Sequence, residues 1–184
     1  MIYFISDTHF GHEAIISYCH RPFRSIDEMN EILIKNWNET VSDNDTIYFL
    51  GDFSFCGYEK TRDILNGLKG KKIIIIGNHD KKGIQGLLNL GWDIAFETPI
   101  EIMENLPKIG LVNLILSHQP QYISDNKFNI HGHIHDAKLE SEYPDMNPKN
   151  HLCVSVERID YKPISLQEVM ERYVKEYFIE KGEF

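Results

Sequence analysis

Five apolar runs in this chain each end on a side chain of the kind that binds metal ions. "MIYFIS" (1–6) leads to Asp7 and His9, "TIYFLG" (46–51) to Asp52, and "KKIIIIG" (71–77) to Asn78, His79 and Asp80. "LVNLILS" (111–117) leads to His118, and "FNIHG" (128–132) to His133 and His135. Short runs rich in Ile, Val, Leu and aromatic residues read as buried strands. In open α/β sheets the ligand site lies outside the carboxyl ends of the strands. The pattern therefore calls for a fold that brings five strand ends to one polar edge.

The intervening segments support this. Ser25 to Thr40 reads as a helix, with Ser25 as its cap, Glu28 three residues on, and Met29, Ile32, Leu33 and Trp37 at helical spacing. Helices are also expected over Tyr58–Leu68 and Gly83–Leu90. "WDIAFE" (92–97) and "IEIME" (100–104), split by Pro99, read as a strand pair, and "LCVSVE" (152–157) as a further strand. From Ser165 to Phe178 an amphipathic helix is expected, with Leu166, Val169, Met170, Tyr173, Val174, Tyr177 and Phe178 on one stripe. Strands and helices alternate in the front half, and strands dominate the back half. The class is α/β, with a mixed sheet or two sheets flanked by helices. Residues 136–151 read as an excursion from the core.

At 184 residues the chain is expected to form a single domain spanning 1–184. A chain of this size buries roughly 70% of its unfolded surface, so neither a disulfide nor a structural metal is needed for folding. Cys19, Cys56 and Cys153 are far apart and form no C-x-x-C pair, which fits a reducing compartment. The opening is apolar for only six residues without a leading positive charge, and no apolar run reaches the ~20 residues of a membrane span. A cytoplasmic location without membrane partners is expected. The net charge of −9 argues against broad binding to a nucleic acid backbone. Oligomeric state is left open.

Carboxylate and imidazole suit zinc, iron, manganese and related divalent ions. The absence of thiolates fits an open hydrolytic site better than a closed structural one. Asp7, His9, Asp52, Asn78, His118, His133 and His135 are too many for one ion, which needs only about three or four protein ligands. They fit two ions sharing a carboxylate. His133 and His135, one residue apart in an extended segment, are expected to point to the same side and to reach neighbouring ions. Singly these features are weak. A D-x-H is common, the histidine run reads equally as an exposed polar strand, and "GNHD" reads as a turn. Their joint occurrence in order favours a metal centre.

In this ordered set the chain resembles the calcineurin-like metallophosphoesterases, whose blocks are D-x-H, G-D, G-N-H-[D/E], a lone H, and G-H-x-H. The chain carries "DTH" (7–9), "GD" (51–52), "GNHD" (77–80), "SH" (117–118) and "GHIH" (132–135). The opening "FISDTHFGH" followed by "RPF" resembles a group of small bacterial and phage phosphoesterases. The resemblance implies a four-layer αββα fold, with two stacked mixed sheets between helices. It implies two divalent ions, manganese first and iron, zinc, nickel or magnesium as alternatives. Asp7, His9 and His135 would hold one ion, Asn78, His118 and His133 the other, and Asp52 would bridge. Hydrolysis of phosphate monoesters or diesters would use a metal-bridging hydroxide, with His79 as general acid and the bridging Asp52 as the other catalytic residue. A nuclease of the same superfamily, or a metal-binding interaction module without catalysis, are the alternatives.

One departure matters. In the Ser/Thr protein phosphatase branch the G-D block continues to an Asp that orients the catalytic histidine, followed by Arg. Here "GDFSFCG" places Phe55 and Cys56 at those positions, which argues against that branch. What orients His79 is not given by the sequence. His12 and Arg21 are the candidates for substrate contact, Arg21 because its guanidinium suits bidentate phosphate binding. The expected substrate is a small phosphorylated or nucleotide-like molecule.

Overall fold

The apolar runs form strands where the pattern places them, and parallel pairing aligns their carboxyl ends. The computed structural model describes residues 1–106, 110–124 and 126–174. Strand β1 (Ile2–Ile5) is followed by α1 (Ala14–Tyr18) and α2 (Ile26–Thr40), then β2 (Thr46–Phe49), α3 (Tyr58–Gly67), β3 (Lys71–Ile75), α4 (Gly83–Leu90) and β4 (Ile94–Phe96). Neighbouring strands of this series pair in parallel, as crossover helices require. Ser25 caps α2 by accepting from the Glu28 N–H at 3.2 Å, while the Glu28 carboxylate accepts from the Arg24 N–H. Leu33 and Trp37 of α2 are buried, and Trp37 stacks on Phe49 of the sheet.

The second sheet is made of β5 (Ile100–Leu106), β6 (Gly110–Ser117), β7 (Lys127–His131) and β8 (His151–Cys153), in that spatial order. β5 and β6 are antiparallel, whereas β6, β7 and β8 run parallel. A short β9 (Ile164–Ser165) returns antiparallel to β1 and completes a first sheet of order β4-β3-β2-β1-β9. Both sheets are mixed. They share one apolar core, in which Phe4, Ile5, Ile47 and Phe49 meet Leu114, Leu116, Phe128 and Ile130. Among the described residues no helix is long and apolar enough to cross a membrane.

Three expectations need correction. The segments at 92–97 and 100–104 do not pair with one another. β4 joins β3 and β5 joins β6, so the turn at Pro99 is the crossover between sheets. Local alternation shows that a segment is a strand but carries no information on its partner. "LCVSVE" is a strand only to Cys153. Beyond it the chain crosses to the first sheet, where the Ser6 N–H donates to Val154 O and the Val156 N–H donates to Ser6 O, and then turns through a 3₁₀ segment, Val156–Arg158. The C-terminal helix starts at Ser165 with a reciprocal capping box to Glu168, but its α-helical turn ends at Val169 and Met170–Val174 is wound as a π-helix. Val169, Met170 and Val174 are buried, whereas Tyr173 is exposed. Tyr177 and Phe178 lie outside the described residues. The excursion after the last motif contains α5 (Leu139–Glu142) and packs Ile134, Leu139 and Met146 into a small cluster of its own.

Candidate metal centre

The site begins with backbone conformation. Asp7, His9, Asp52, His133 and His135 all have φ between 50° and 72°, the left-handed region that non-glycine residues rarely occupy. Each such residue costs of order 1–3 kcal/mol and persists only where its surroundings enforce it. Here they do. The Asp7 N–H donates to Gly51 O at 3.0 Å and the His9 N–H to Asp52 O at 3.2 Å, which ties the loop after β1 to the loop after β2. Asp7 Oδ2 accepts from the His133 N–H at 3.0 Å and from Ser155 Oγ at 2.7 Å, joining that loop to the second sheet.

His133 and His135 therefore do not stand on an extended segment, as expected from their spacing. They follow β7 in a tight left-handed turn, and their rings part toward different neighbours. His133 Nδ1 lies 3.0 Å from Asn78 Oδ1 and 3.2 Å from His118 Nε2. His135 Nε2 lies 3.9 Å from Asp7 Oδ1.

The remaining loops are held by Asp80. Its carboxylate accepts from the N–H groups of Asp52 at 2.7 Å, Gly77 at 2.9 Å and Phe53 at 3.1 Å. It braces the loops through these three N–H groups. Burial raises its pKa above the ordinary carboxylate value despite the three N–H donors. Close approach explains two motif glycines. A Cβ on Gly77 would lie 2.3 Å from Asp52 Oδ1, and one on Gly132 would lie 2.5 Å from Asp7 Oδ2.

Two candidate ligand sets result, with Asp52 between them. In the first, His9 Nε2 and His135 Nε2 lie 3.8 and 3.9 Å from Asp7 Oδ1. In the second, Asn78 Oδ1, His118 Nε2 and His133 Nδ1 converge within 3.2 Å of one another. Asp52 Oδ2 stands 3.8 Å from His9 Nε2 and 3.6 Å from His118 Nε2. Separations of 3.6–3.9 Å are too long for hydrogen bonds. They are the spacing expected of two ligands that each bind one ion at about 2.0–2.2 Å.

Satisfaction of the polar atoms gives the same answer. Asp7 Oδ1, His9 Nδ1 and His9 Nε2 are buried with no hydrogen-bond partner, a costly state unless a cation occupies the gap. His118 Nδ1 donates to Leu50 O at 2.8 Å, which fixes the ring with Nε2 2.8 Å from Asn78 Oδ1. A divalent ion would fit between this nitrogen and the amide oxygen. The donor set of carboxylates, imidazoles and one amide oxygen fits manganese, iron, zinc and their neighbours. Burial opposes ionisation of Asp7, but His9, His118 and His135 outweigh it and hold its carboxyl well below the usual range. Burial and the neighbouring His118 lower the pKa of His133, which favours the neutral, ligating form.

His79 stays at the rim. Its backbone N–H donates to Asp52 Oδ1 at 2.8 Å, and its half-exposed ring brings Nε2 to 3.9 Å from Asp52 Oδ2. Among the described residues no carboxylate is hydrogen-bonded to that ring. It is packed against Phe55, with ring centroids 4.9 Å apart, and against the edge of His9. Phe55 thus meets the histidine through its ring. His12 lies near the site as expected, stacked on Phe55 at 4.3 Å and 5.7 Å from the His9 ring.

Arg21 is placed differently from expectation. Its guanidinium is wholly buried and points inward, donating to Asp7 O at 2.7 Å and Thr8 O at 2.9 Å and pairing with Glu157 at 2.7 Å. All its planar donors face protein, so none is presented to a substrate. Glu157, which the sequence reading passed over, also lies 3.1 Å from His135 Nδ1. A signal for it existed, since Glu157 closes an apolar run as the motif residues do. His131 is buried, with Nδ1 donating to Gly132 O and its ring against that of His151.

Comparison with known proteins gives the family of the fold. The family model for calcineurin-like phosphoesterases matches residues 1–172. An uncharacterized protein of Methanocaldococcus jannaschii is 41% identical over 187 residues, covering 98% of this chain and 92% of the relative. The Gene 66 protein of Mycobacterium phage D29 is 28% identical, covering 76% and 81%. A crystal structure of a protein of unknown function from Aquifex aeolicus superposes with a TM-score of 0.73 at 29% identity, covering 93% of this chain and 98% of that one.

Proposed function

The chain belongs to the calcineurin-like phosphoesterase family, and we propose that it hydrolyses phosphate monoesters or diesters of small or nucleotide-like molecules at a dinuclear metal centre. The observation that carries this reading is the pair of ligand sets flanking Asp52 Oδ2. Held by Asp7, His9, His135, Asn78, His118, His133 and Asp52, two divalent ions would supply Lewis acidity toward the phosphoryl oxygens and a water acidic enough to act at neutral pH. The protein supplies the rest. Asp52 Oδ2 lies between the sets and suits a shared ligand. Its Oδ1 accepts from the His79 N–H, which favours this orientation of the carboxylate. The His79 Nε2 stands at the open edge, where it can hand a proton to the departing alkoxide or aryl oxide. Manganese is the first choice of metal.

The rim supports a small organic ester. The exposed face of Phe55 and the ring of His12 form one wall. On the other side a cleft lined by Asn78, Glu97, His118 and Gln121 opens beside the second ligand set. The acidic net charge favours this over a nuclease, because phosphate-backbone binding draws on clustered cations.

The test is hydrolysis of a panel of aryl and nucleotide monoesters and diesters by protein stripped of metal and reloaded with one metal at a time. Metal-dependent turnover is expected. Two bound ions with no turnover across the panel would overturn the enzymatic reading in favour of a binding module.

A further inference from the structure

The inward-facing Arg21 and the unanticipated Glu157 form a chain of contacts that ends on a metal ligand. Glu157 Oε1 receives Arg21 Nε at 2.8 Å and lies 3.1 Å from His135 Nδ1. Both side chains are buried, Arg21 at 0% and Glu157 at 4% exposure. A carboxylate facing Nδ1 fixes the tautomer that leaves Nε2 as the ligand nitrogen, and such outer partners also set ring orientation and basicity. Arg21 reaches the same ligand set by a second route. Its other donors hold the carbonyls of Asp7 and Thr8, the stretch in which Asp7 (φ 56°) and His9 (φ 50°) are left-handed. One guanidinium thus anchors the backbone carrying two ligands and the acid that orients the third.

We propose that Arg21 and Glu157 are positioning residues for the Asp7–His9–His135 subsite alone, so that the affinity of this subsite is set separately from that of the Asn78–His118–His133 subsite. No comparable acid is bonded to the second set among the described residues. There the imidazole of His118 is fixed by a neutral carbonyl, Leu50 O. The Arg21–Glu157 pair is neutral as a unit, so it orients without altering the net charge of the centre. Lysine cannot replace Arg21, because a single ammonium cannot span Glu157 and two carbonyls with planar geometry.

The proposal rests on the dinuclear reading above, and metal binding separates the two. Apo protein is titrated with Mn²⁺ by calorimetry and by electron paramagnetic resonance, where paired ions give a coupled spectrum. Wild type is expected to bind two ions. Glu157→Ala is expected to keep one affinity and to weaken the other by about 10–100-fold, with loss of the coupled spectrum at metal levels that saturate wild type. Glu157→Gln, whose amide oxygen still accepts from Nδ1, is expected to restore most of the coupling. Glu157→Ala placed on top of His135→Gln is expected to weaken this subsite little beyond His135→Gln alone. If Glu157→Ala does not fold, Glu157→Asp withdraws the oxygen from Nδ1 by one methylene while keeping the charge, and reads the same shift. Two unchanged affinities in a folded Glu157 variant overturn the proposal while leaving the dinuclear reading intact. A wild type that never binds a second ion overturns that reading, and the proposal with it.

Discussion

The backbone N–H of His79 donates to Asp52 Oδ1 at 2.8 Å, while the imidazole of the same histidine stands 3.9 Å from Asp52 Oδ2. One residue thus fixes the central carboxylate with its main chain and leaves its side chain free at the rim. The two functions can be separated by substitution, because a change of side chain keeps the N–H.

His79→Asn is expected to bind metal as wild type does and to lower kcat by ~10²–10⁴. The deficit should be larger for esters with alkoxide leaving groups than for p-nitrophenyl esters, whose leaving group needs little protonation. A loss independent of leaving group, measured across a series of aryl and alkyl esters, would remove His79 from the proton-transfer role.

Asp52→Asn is expected to bind a single ion, because an amide oxygen is a weaker ligand and carries no charge to share between two cations. The Oδ1 bond from the His79 N–H can be kept, so the loops should remain folded. Metal content by mass spectrometry after dialysis checks this.

Asp80→Ala leaves the N–H groups of Asp52, Phe53 and Gly77 without their acceptor in a buried location. Each orphaned donor costs about 1–3 kcal/mol. A loss of ~3 kcal/mol or more is expected in urea denaturation of the metal-free protein, together with weaker metal binding through the displaced Asp52 loop. A variant of unchanged midpoint would show that these contacts do not bear on stability.

Gly132→Ala presses a methyl group to 2.5 Å from both Asp7 Oδ2 and Ser6 Oγ. Overpacking of this kind costs about 1–3 kcal/mol. The expected result is a modest fall in Tm with a disproportionate loss of metal affinity, since the displaced atom belongs to a ligand carboxylate. Gly67, whose added Cβ meets nothing within 4 Å, is the control position.

His131 predicts the acid limb of stability. Burial pushes its imidazole down to about 4, so the folded state keeps it neutral where the unfolded chain, at about 6.5, takes up a proton. The unfolded state binds more protons in that window, so stability is full above pH ~6.5, falls as pH drops toward ~4, and then levels. The full effect is roughly 3 kcal/mol. His131→Gln should flatten this part of the profile for metal-free protein; an unchanged slope would assign the limb to other groups.

Much of the architecture was legible because its signals are local. Runs such as "KKIIIIG" mark strands by composition, Ser25 marks a helix start by its cap, and parallel order puts the polar residues at one edge. What misled was equally local. "WDIAFE" and "IEIME" look alike, yet they belong to different sheets. The alternation of His133 and His135 suggested a shared face, yet a left-handed turn sends their rings to different ligand sets. Arg21 had the chemistry of a phosphate ligand, but its direction depends on Glu157, 136 residues away.

The sequence by itself determined the candidate ligand types, their order and their delivery at strand ends, since these follow from side-chain chemistry and periodicity over a few residues. Only the tertiary structure decided which ligands meet, which carboxylate lies between them, and which charged side chains turn inward. Those outcomes depend on contacts such as the His133 N–H to Asp7, separated by 126 residues. No period or propensity along the chain encodes a distance across it, and only the packing of the two sheets around their common core supplies one.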